Sequence, residues 1–110
     1  MPHIIIEHTE TLAENLSLVD FNRGLHDCLA EQETVSLDSI KTRSIEVKRA
    51  VVGDGSNNDF VHITILLLAG RSEALKKKMA ENIFNKAQSL MGGLDARLSV
   101  NIDDLGVYKK

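Results

Sequence analysis

Phe60-Val61-His62-Ile63-Thr64-Ile65-Leu66-Leu67-Leu68-Ala69-Gly70-Arg71-Ser72 is the most strongly patterned stretch of the chain, and the rest of the architecture can be built outward from it. Phe60 to Ala69 is short, apolar and rich in β-branched side chains, which predicts a strand. Val61, Ile63, Ile65 and Leu67 would point to one face, and Phe60, Leu66 and Leu68 to the other. Gly70 and Arg71 turn the chain, and Ser72 is placed to cap a helix by accepting from an amide of its first turn. Leu75, Met79, Ile83, Ala87, Leu90 and Met91 then form a continuous apolar stripe that Gly92-Gly93 ends. Leu98 to Ile102 alternates as a last strand.

Towards the N-terminus the same plan recurs. The cluster Gly53-Asp54-Gly55-Ser56-Asn57-Asn58 breaks regular structure. Ser39 to Val52 before it carries enough Ile, Val and Thr to predict a strand. Ser17 caps a helix from Leu18 to Ala30, with Asp20 completing a weak capping box. Leu18, Phe21, Leu25, Cys28 and Leu29 make its apolar stripe, and Gly24 inside it costs about 1 kcal/mol relative to alanine. Residues 3–8 read as a short strand headed by Pro2. The order is β-α-β twice, in halves of about 1–52 and 53–103 within one domain spanning 1–110. This predicts an α+β fold, a four-stranded sheet with two helices on one face. Ile4 and Ile6 oppose Ile5, and the central strand is apolar on both sides. An uncovered face of that kind exceeds what monomers normally expose, so a homo-oligomer packing sheet against sheet is expected.

Composition narrows the function classes. With 43% apolar and 26% charged residues, the 110-residue chain matches ordinary soluble globular domains. A formal charge of −3 leaves no footprint for nucleic acid. Lys76-Lys77-Lys78 lies among Glu73 and Glu81 and reads as a solvated helix face. Cys28 is the single cysteine, so no internal disulfide forms, which suits the cytoplasm. No apolar run approaches the ~20 residues that span a bilayer, and the N-terminus lacks a secretion signal. A cytoplasmic protein without membrane or nucleic-acid partners is expected.

Pro2 is the chemically distinctive residue. Initiator methionine is commonly removed before a small second residue, which would leave a free secondary amine anchored at a strand start. An α-amino group titrates near ~7.7–8, and each unit of depression costs about 1.4 kcal/mol. Burial or neighbouring cations supply that depression and move the amine towards a useful general base. Lys41 and Arg43 are two apart and leave one face of their strand. Arg71 precedes a helix whose first amides favour anions. Converging on Pro2, these cations would suppress its protonation, attract a polyanion and stabilise an enolate oxygen. Taken singly, Pro2 reads more readily as a strand-starting residue, and Lys41 and Arg43 as a solvated strand, while Arg71 reads equally as a surface residue at a helix start.

Other residues offer less. His3, His8, His26 and His62 include no HxxxH pair, and His62 reads as a core or interface histidine, so no metal site is expected. Asp54 to Asp59 hints at a calcium loop, but Ile65 stands where the bidentate glutamate belongs. Cys28 sits on an apolar stripe with no nearby base and reads as packing. Gly53-x-Gly55 lacks the third glycine of a dinucleotide loop. Tyr108 falls in a tail too short to place.

Taken together, the chain resembles the tautomerase superfamily, and more narrowly the 5-carboxymethyl-2-hydroxymuconate isomerase family. The residues that carry this are Met1-Pro2-His3 with Ile4 to Glu7, Ile40-Lys41-Thr42-Arg43, Phe60-Val61-His62-Ile63-Thr64, and Ala69-Gly70-Arg71-Ser72. The resemblance implies a homotrimer with active sites at subunit contacts, needing neither metal nor cofactor. It implies a small-molecule carboxylate substrate that undergoes 1,3-allylic proton transfer, an unsaturated 2-hydroxy or oxo di- or tricarboxylate. Pro2 would shuttle the proton. Arg71 would bind a carboxylate or polarise the keto oxygen, and Arg43 matches a second family arginine. Lys41 stands where better-known isomerases have arginine, supplying charge without the two-point fork. The chain also stops sooner after its last strand than the family's longer tail implies. A retained Met1 would acylate the proline nitrogen and abolish its basicity. Another superfamily reaction, such as a dehalogenase-like hydration, and a non-catalytic oligomeric binding module are the alternatives.

Overall fold

The computed structural model describes all 110 residues. In chain order these form β1 (His3–His8), α1 (Glu10–Asn15), α2 (Leu18–Ala30), a tight helical turn (Leu37–Ser39), β2 (Lys41–Glu46), β3 (Phe60–Leu67), α3 (Glu73–Met91) and β4 (Arg97–Asp104). The sheet order is β2-β1-β3-β4. β1 runs parallel to β2, β3 runs parallel to β4, and β1 and β3 pair antiparallel at the centre. Parallel neighbours need a crossover, which the helices supply, so each half is the expected β-α-β unit.

One face of the sheet carries the core. Ile4, Ile6, Val61, Ile63, Ile65 and Leu67 are fully buried against Phe21, Leu25, Leu29, Met79, Ile83 and Ala87 of α2 and α3. Both anticipated caps form, with Ser17 Oγ accepting from Asp20 N at 3.3 Å and Ser72 Oγ from Leu75 N at 3.1 Å. Gly24 lets α2 and α3 approach, since a Cβ there would lie 2.7 Å from Leu90 Cδ1. No helix is long and apolar enough to cross a membrane.

Several expectations need correction. α1 adds a third, six-residue helix that was not anticipated; it buries only Leu12, too little to show a period. β2 ends at Glu46 instead of Val52 because its only neighbour, β1, ends at His8, the register partner of Glu46. β3 ends at Leu67, short of Ala69, where its pairing with β4 stops, and β4 is longer than expected because β3 partners it from Arg97 to Asp104. The uncovered face is not continuously apolar. Ile5, Leu66 and Phe60 lie there among His3, Glu7, His62, Thr64, Ser99 and Asn101. His62 therefore belongs to no core in the single chain and pairs with Ser99 Oγ at 2.6 Å. The buried histidine is His8, 1% exposed, whose Nδ1–H donates to the Thr9 carbonyl at 2.9 Å. Lys76 is less solvated than expected, lying 2.8 Å from Glu73 and 3.5 Å from Asp104.

After β4 the tail folds back across the sheet end. Leu105 N donates to Leu67 O at 2.6 Å, and Tyr108 Oη lies 2.8 Å from His3 Nε2. Arg43 Nη1 lies 3.1 Å from His3 Nδ1. A guanidinium only donates, so Nδ1 accepts and Nε2–H donates to the tyrosine. Burial lowers the His3 pKa from the usual 6.5, and the positive charges of Arg43, Lys41 and the amino terminus lower it further. The unfolded chain thus protonates first on acidification. The contact's stabilisation is complete above pH 6.5 and is lost as pH falls through the lowered native value.

Tyr108 is the only tyrosine and tryptophan is absent, so intrinsic fluorescence reports this contact directly. Acidification is expected to change the emission with a midpoint below pH 6.5, and His3→Gln to abolish that titration. In a Leu90→Ala background, Gly24→Ala is expected to stabilise the fold by about 1 kcal/mol through helix propensity. With Leu90 present the gain shrinks by the cost of displacing it, which chemical denaturation of the four-member mutant cycle measures.

Candidate active site

Strand direction gathers the candidate residues at one end of the sheet. β1 and β2 start there, while β3 and β4 finish there, as the pairs His3–Lys41, His3–Leu66 and Leu66–Asp103 require. Pro2 is buried even in the single chain, and its carbonyl accepts from Lys41 N at 3.0 Å. Proline lacks an amide hydrogen, so the strand start loses no donor by having it there.

The chain start lies in a positive field. Burial is the main influence lowering the Met1 α-amino pKa from 8.0, followed by the charges of Lys110, Arg71 and Lys41. With Met1 attached, the Pro2 nitrogen is an amide, and the group that senses the field is the amine one residue away. Both influences raise the share of an amine that is unprotonated at neutral pH.

The cations differ in how they are held. Arg71 is half-buried and fixed by three neutral acceptors: Nε donates to Thr34 Oγ1 at 2.9 Å, Nη2 to Thr34 O at 3.0 Å, and Nη1 to Leu68 O at 3.1 Å. Lys41 is exposed on the edge strand and lines a cleft with Asn22, His26 and Thr42. Arg43 shares the face of Lys41 but turns to His3 instead of the proline. The charges of Arg71 and Lys41 fall on the chain start after that of Lys110, whereas Arg43 is engaged by His3. Lys110, His3, Tyr108 and Thr34 are the neighbours that sequence reasoning missed. His3 was the discoverable one, being adjacent to Pro2 and on the strand face opposite Ile4. A lone tyrosine in an irregular tail carries no periodic signal.

The remaining candidates keep to structural roles. Burial, and then the Glu31 charge, push the Cys28 thiol up, and its Sγ–H lies 3.8 Å from the Asn82 carbonyl. It packs between α2 and α3 and is no nucleophile. Asp54 accepts from Ser56 N at 2.9 Å, which closes a turn and holds the carboxyl below its usual range. No three His, Cys, Asp or Glu side chains converge as metal ligands would. Other clefts of the single chain lie elsewhere, one of them at the far end of the sheet between Thr9, Lys48, Arg49 and Asp59.

Comparison with known proteins bears on the fold and the family. The family model described as 5-carboxymethyl-2-hydroxymuconate isomerase matches residues 2–103. A solved 5-carboxymethyl-2-hydroxymuconate delta-isomerase is similar with a TM-score of 0.84 at 20% identity, over 100% of this chain and 87% of that one. A 5-carboxymethyl-2-hydroxymuconate isomerase from Deinococcus radiodurans R1 gives 0.85 at 24% identity, over 99% and 88%. A fused 4-OT solved as a symmetric trimer gives 0.75 at 16%, over 94% and 85%. At such identities the structural likeness shows the fold alone. No curated protein sequence matches significantly. The family match does more, because it begins at the proline and runs through the first three strands into the fourth. On that ground the chain belongs to the 5-carboxymethyl-2-hydroxymuconate isomerase family, and is an enzyme, an isomerase built on the tautomerase fold.

Proposed function

We propose that the chain, once Met1 is removed, uses the Pro2 nitrogen first as general base and then as general acid. The reaction is a 1,3-allylic proton transfer on an unsaturated 2-hydroxy or oxo di- or tricarboxylate of the 5-carboxymethyl-2-hydroxymuconate type. One observation carries the reading: Pro2 is buried at the sheet end where Lys41 begins β2 and Arg71 follows β3, and burial and then the charges of Lys110, Arg71 and Lys41 lower the pKa of an amine at the chain start.

The chemistry balances without oxidation or reduction. The neutral amine takes one proton from the substrate, and the electron pair spreads through the conjugated system onto oxygen as a dienolate. The resulting ammonium returns the proton at the other end of the allylic unit. Negative charge peaks between the two transfers, where fixed positive groups have their largest effect. Arg71 polarises the oxygen or holds a carboxylate, and Lys41 and Arg43 serve the remaining carboxylates. Lys41 does so as a point charge, without the planar two-point grip that an arginine gives a carboxylate.

A homotrimer completes the proposal. The larger clefts of one chain do not bring Pro2 and Arg71 together, so the substrate crevice is closed by neighbouring copies meeting across the uncovered sheet face. That face offers Ile5, Leu66 and Phe60 as apolar contacts within a polar surround. The cytoplasm is the setting that a lone thiol suits best.

Pro2→Ala, processed at its N-terminus, is expected to lower kcat by roughly 10²–10⁴-fold, with circular dichroism and subunit mass unchanged. Undiminished isomerisation of 5-carboxymethyl-2-hydroxymuconate, or mass spectrometry showing Met1 retained on the native chain, would remove the mechanism. Cations beside a free amine at the chain start disfavour its protonated form. Lys41→Gln removes one of those charges and is expected to move the acid limb of kcat/KM to higher pH. A limb that stays in place would separate Lys41 from the proline.

A further inference from the structure

Thr34 lies in the loop between α2 and the turn at Leu37–Ser39, and it is the only residue other than glycine with a positive φ, 70°. A β-branched side chain is sterically penalised in that region, where glycine or asparagine would be the ordinary choice. The residue is exposed, so its hydroxyl could be satisfied by water, and the fold draws little from it. Its contacts show what the conformation achieves. Thr34 presents two acceptors to one edge of Arg71, Oγ1 to Nε at 2.9 Å and the carbonyl to Nη2 at 3.0 Å. Glycine would adopt the same backbone more easily, but it would supply only one of the two.

The consequence for Arg71 is definite. A guanidinium has five N–H donors in a rigid plane. Three are taken, two by Thr34 and one by Leu68 O, and this fixes the plane. One N–H remains on each Nη, a pair able to meet two oxygens of a carboxylate or an enolate and its neighbour. No carboxylate forms a salt bridge with Arg71, whose partners are all neutral, so its charge stays uncompensated.

We infer that Thr34 is a positioning residue for the reaction: its strained backbone and hydroxyl together clamp Arg71 so that two N–H groups and a full positive charge face the substrate. This rests on the assignment of Arg71 to the active site proposed above. A small misplacement of a charge-stabilising group is enough to reduce catalysis substantially. The clamp therefore shows in kinetics more than in stability.

The test compares Thr34→Val, Thr34→Ser, Thr34→Gly, Arg71→Ala and the Thr34→Val/Arg71→Ala pair, using isomerisation kinetics and thermal unfolding. Thr34→Val keeps the shape but loses the hydroxyl, and should lower kcat/KM by roughly tenfold, the worth of one hydrogen bond to a charged donor. The loss should fall in the same parameter, kcat or KM, as that of Arg71→Ala. Thr34→Ser restores the hydroxyl and should recover activity to within about twofold. Thr34→Gly relieves the strained backbone, so its Tm should equal or exceed that of the parent while its activity falls as in Thr34→Val. A merely structural residue would move stability and activity together. The double variant should be no worse than Arg71→Ala alone, because the clamp has nothing left to hold. A fully active Thr34→Val beside a defective Arg71→Ala overturns the clamp and leaves the site assignment standing, and so do additive losses in the pair. A fully active Arg71→Ala overturns the site assignment and the clamp with it.

Discussion

The antiparallel pairing of β1 with β3 is the constraint from which the rest follows. Each strand is bound on its other side by a parallel neighbour, so this central pair fixes which ends of all four strands coincide. Ile4 and Ile6 against Ile65 and Ile63 make the joint fully buried on the helix side. Slipping β1 by one residue against β3 would turn Ile4 and Ile6 to the uncovered face and bring His3, Ile5 and Glu7 under the helices. The same slip would separate His3 from Lys41 or Leu66. Core packing and the assembly of the site are thus one decision, made by the alternation of two strands.

That alternation is legible in the sequence because it is local and repeated. The helices were equally readable: Ser17 and Ser72 announce their starts, and Gly92, with a φ of 60°, ends α3. What resisted reading depended on partners distant in the chain. The end of β2 at Glu46 is set by where β1 runs out, and nothing in Val47 to Val52 marks it. α1 is tethered partly through Thr9 and Thr11, whose hydroxyls both donate to Asp59, some 48 to 50 residues away. At the candidate site, Pro2, Lys41, Arg43 and Arg71 stood out by type and spacing. Their neighbours Thr34, Tyr108 and Lys110 did not, because loops and tails reach them by geometry that no periodicity encodes.

The cations at the sheet end are divided between two tasks. Arg43 is engaged by His3, which requires that ring to be neutral and so couples the tail to pH. Arg71 is engaged by carbonyls and a hydroxyl, which hold it without neutralising it. Such a difference matters more than distance alone. A guanidinium paired with a carboxylate would present a substrate with a dipole, while one held by neutral acceptors presents a whole charge.

Net charge is consequently a poor guide to what this surface attracts. The chain carries −3 overall, yet Lys41, Arg71 and Lys110 act together on its first amine. Of the two acidic residues closest to this end in sequence register, Asp104 is engaged by Lys76 at 3.5 Å. Asp103 lies in the row that begins at Lys41, separated from it by His3 and Leu66. Coulomb energy falls with distance and with salt over a Debye length of about 8 Å. An anion arriving at the chain start therefore responds to the few charges within that radius, and the acidic residues spread over the rest of the molecule act mainly on solubility. Strand direction, which brings the cation-bearing ends to one place, sets the sign of the site.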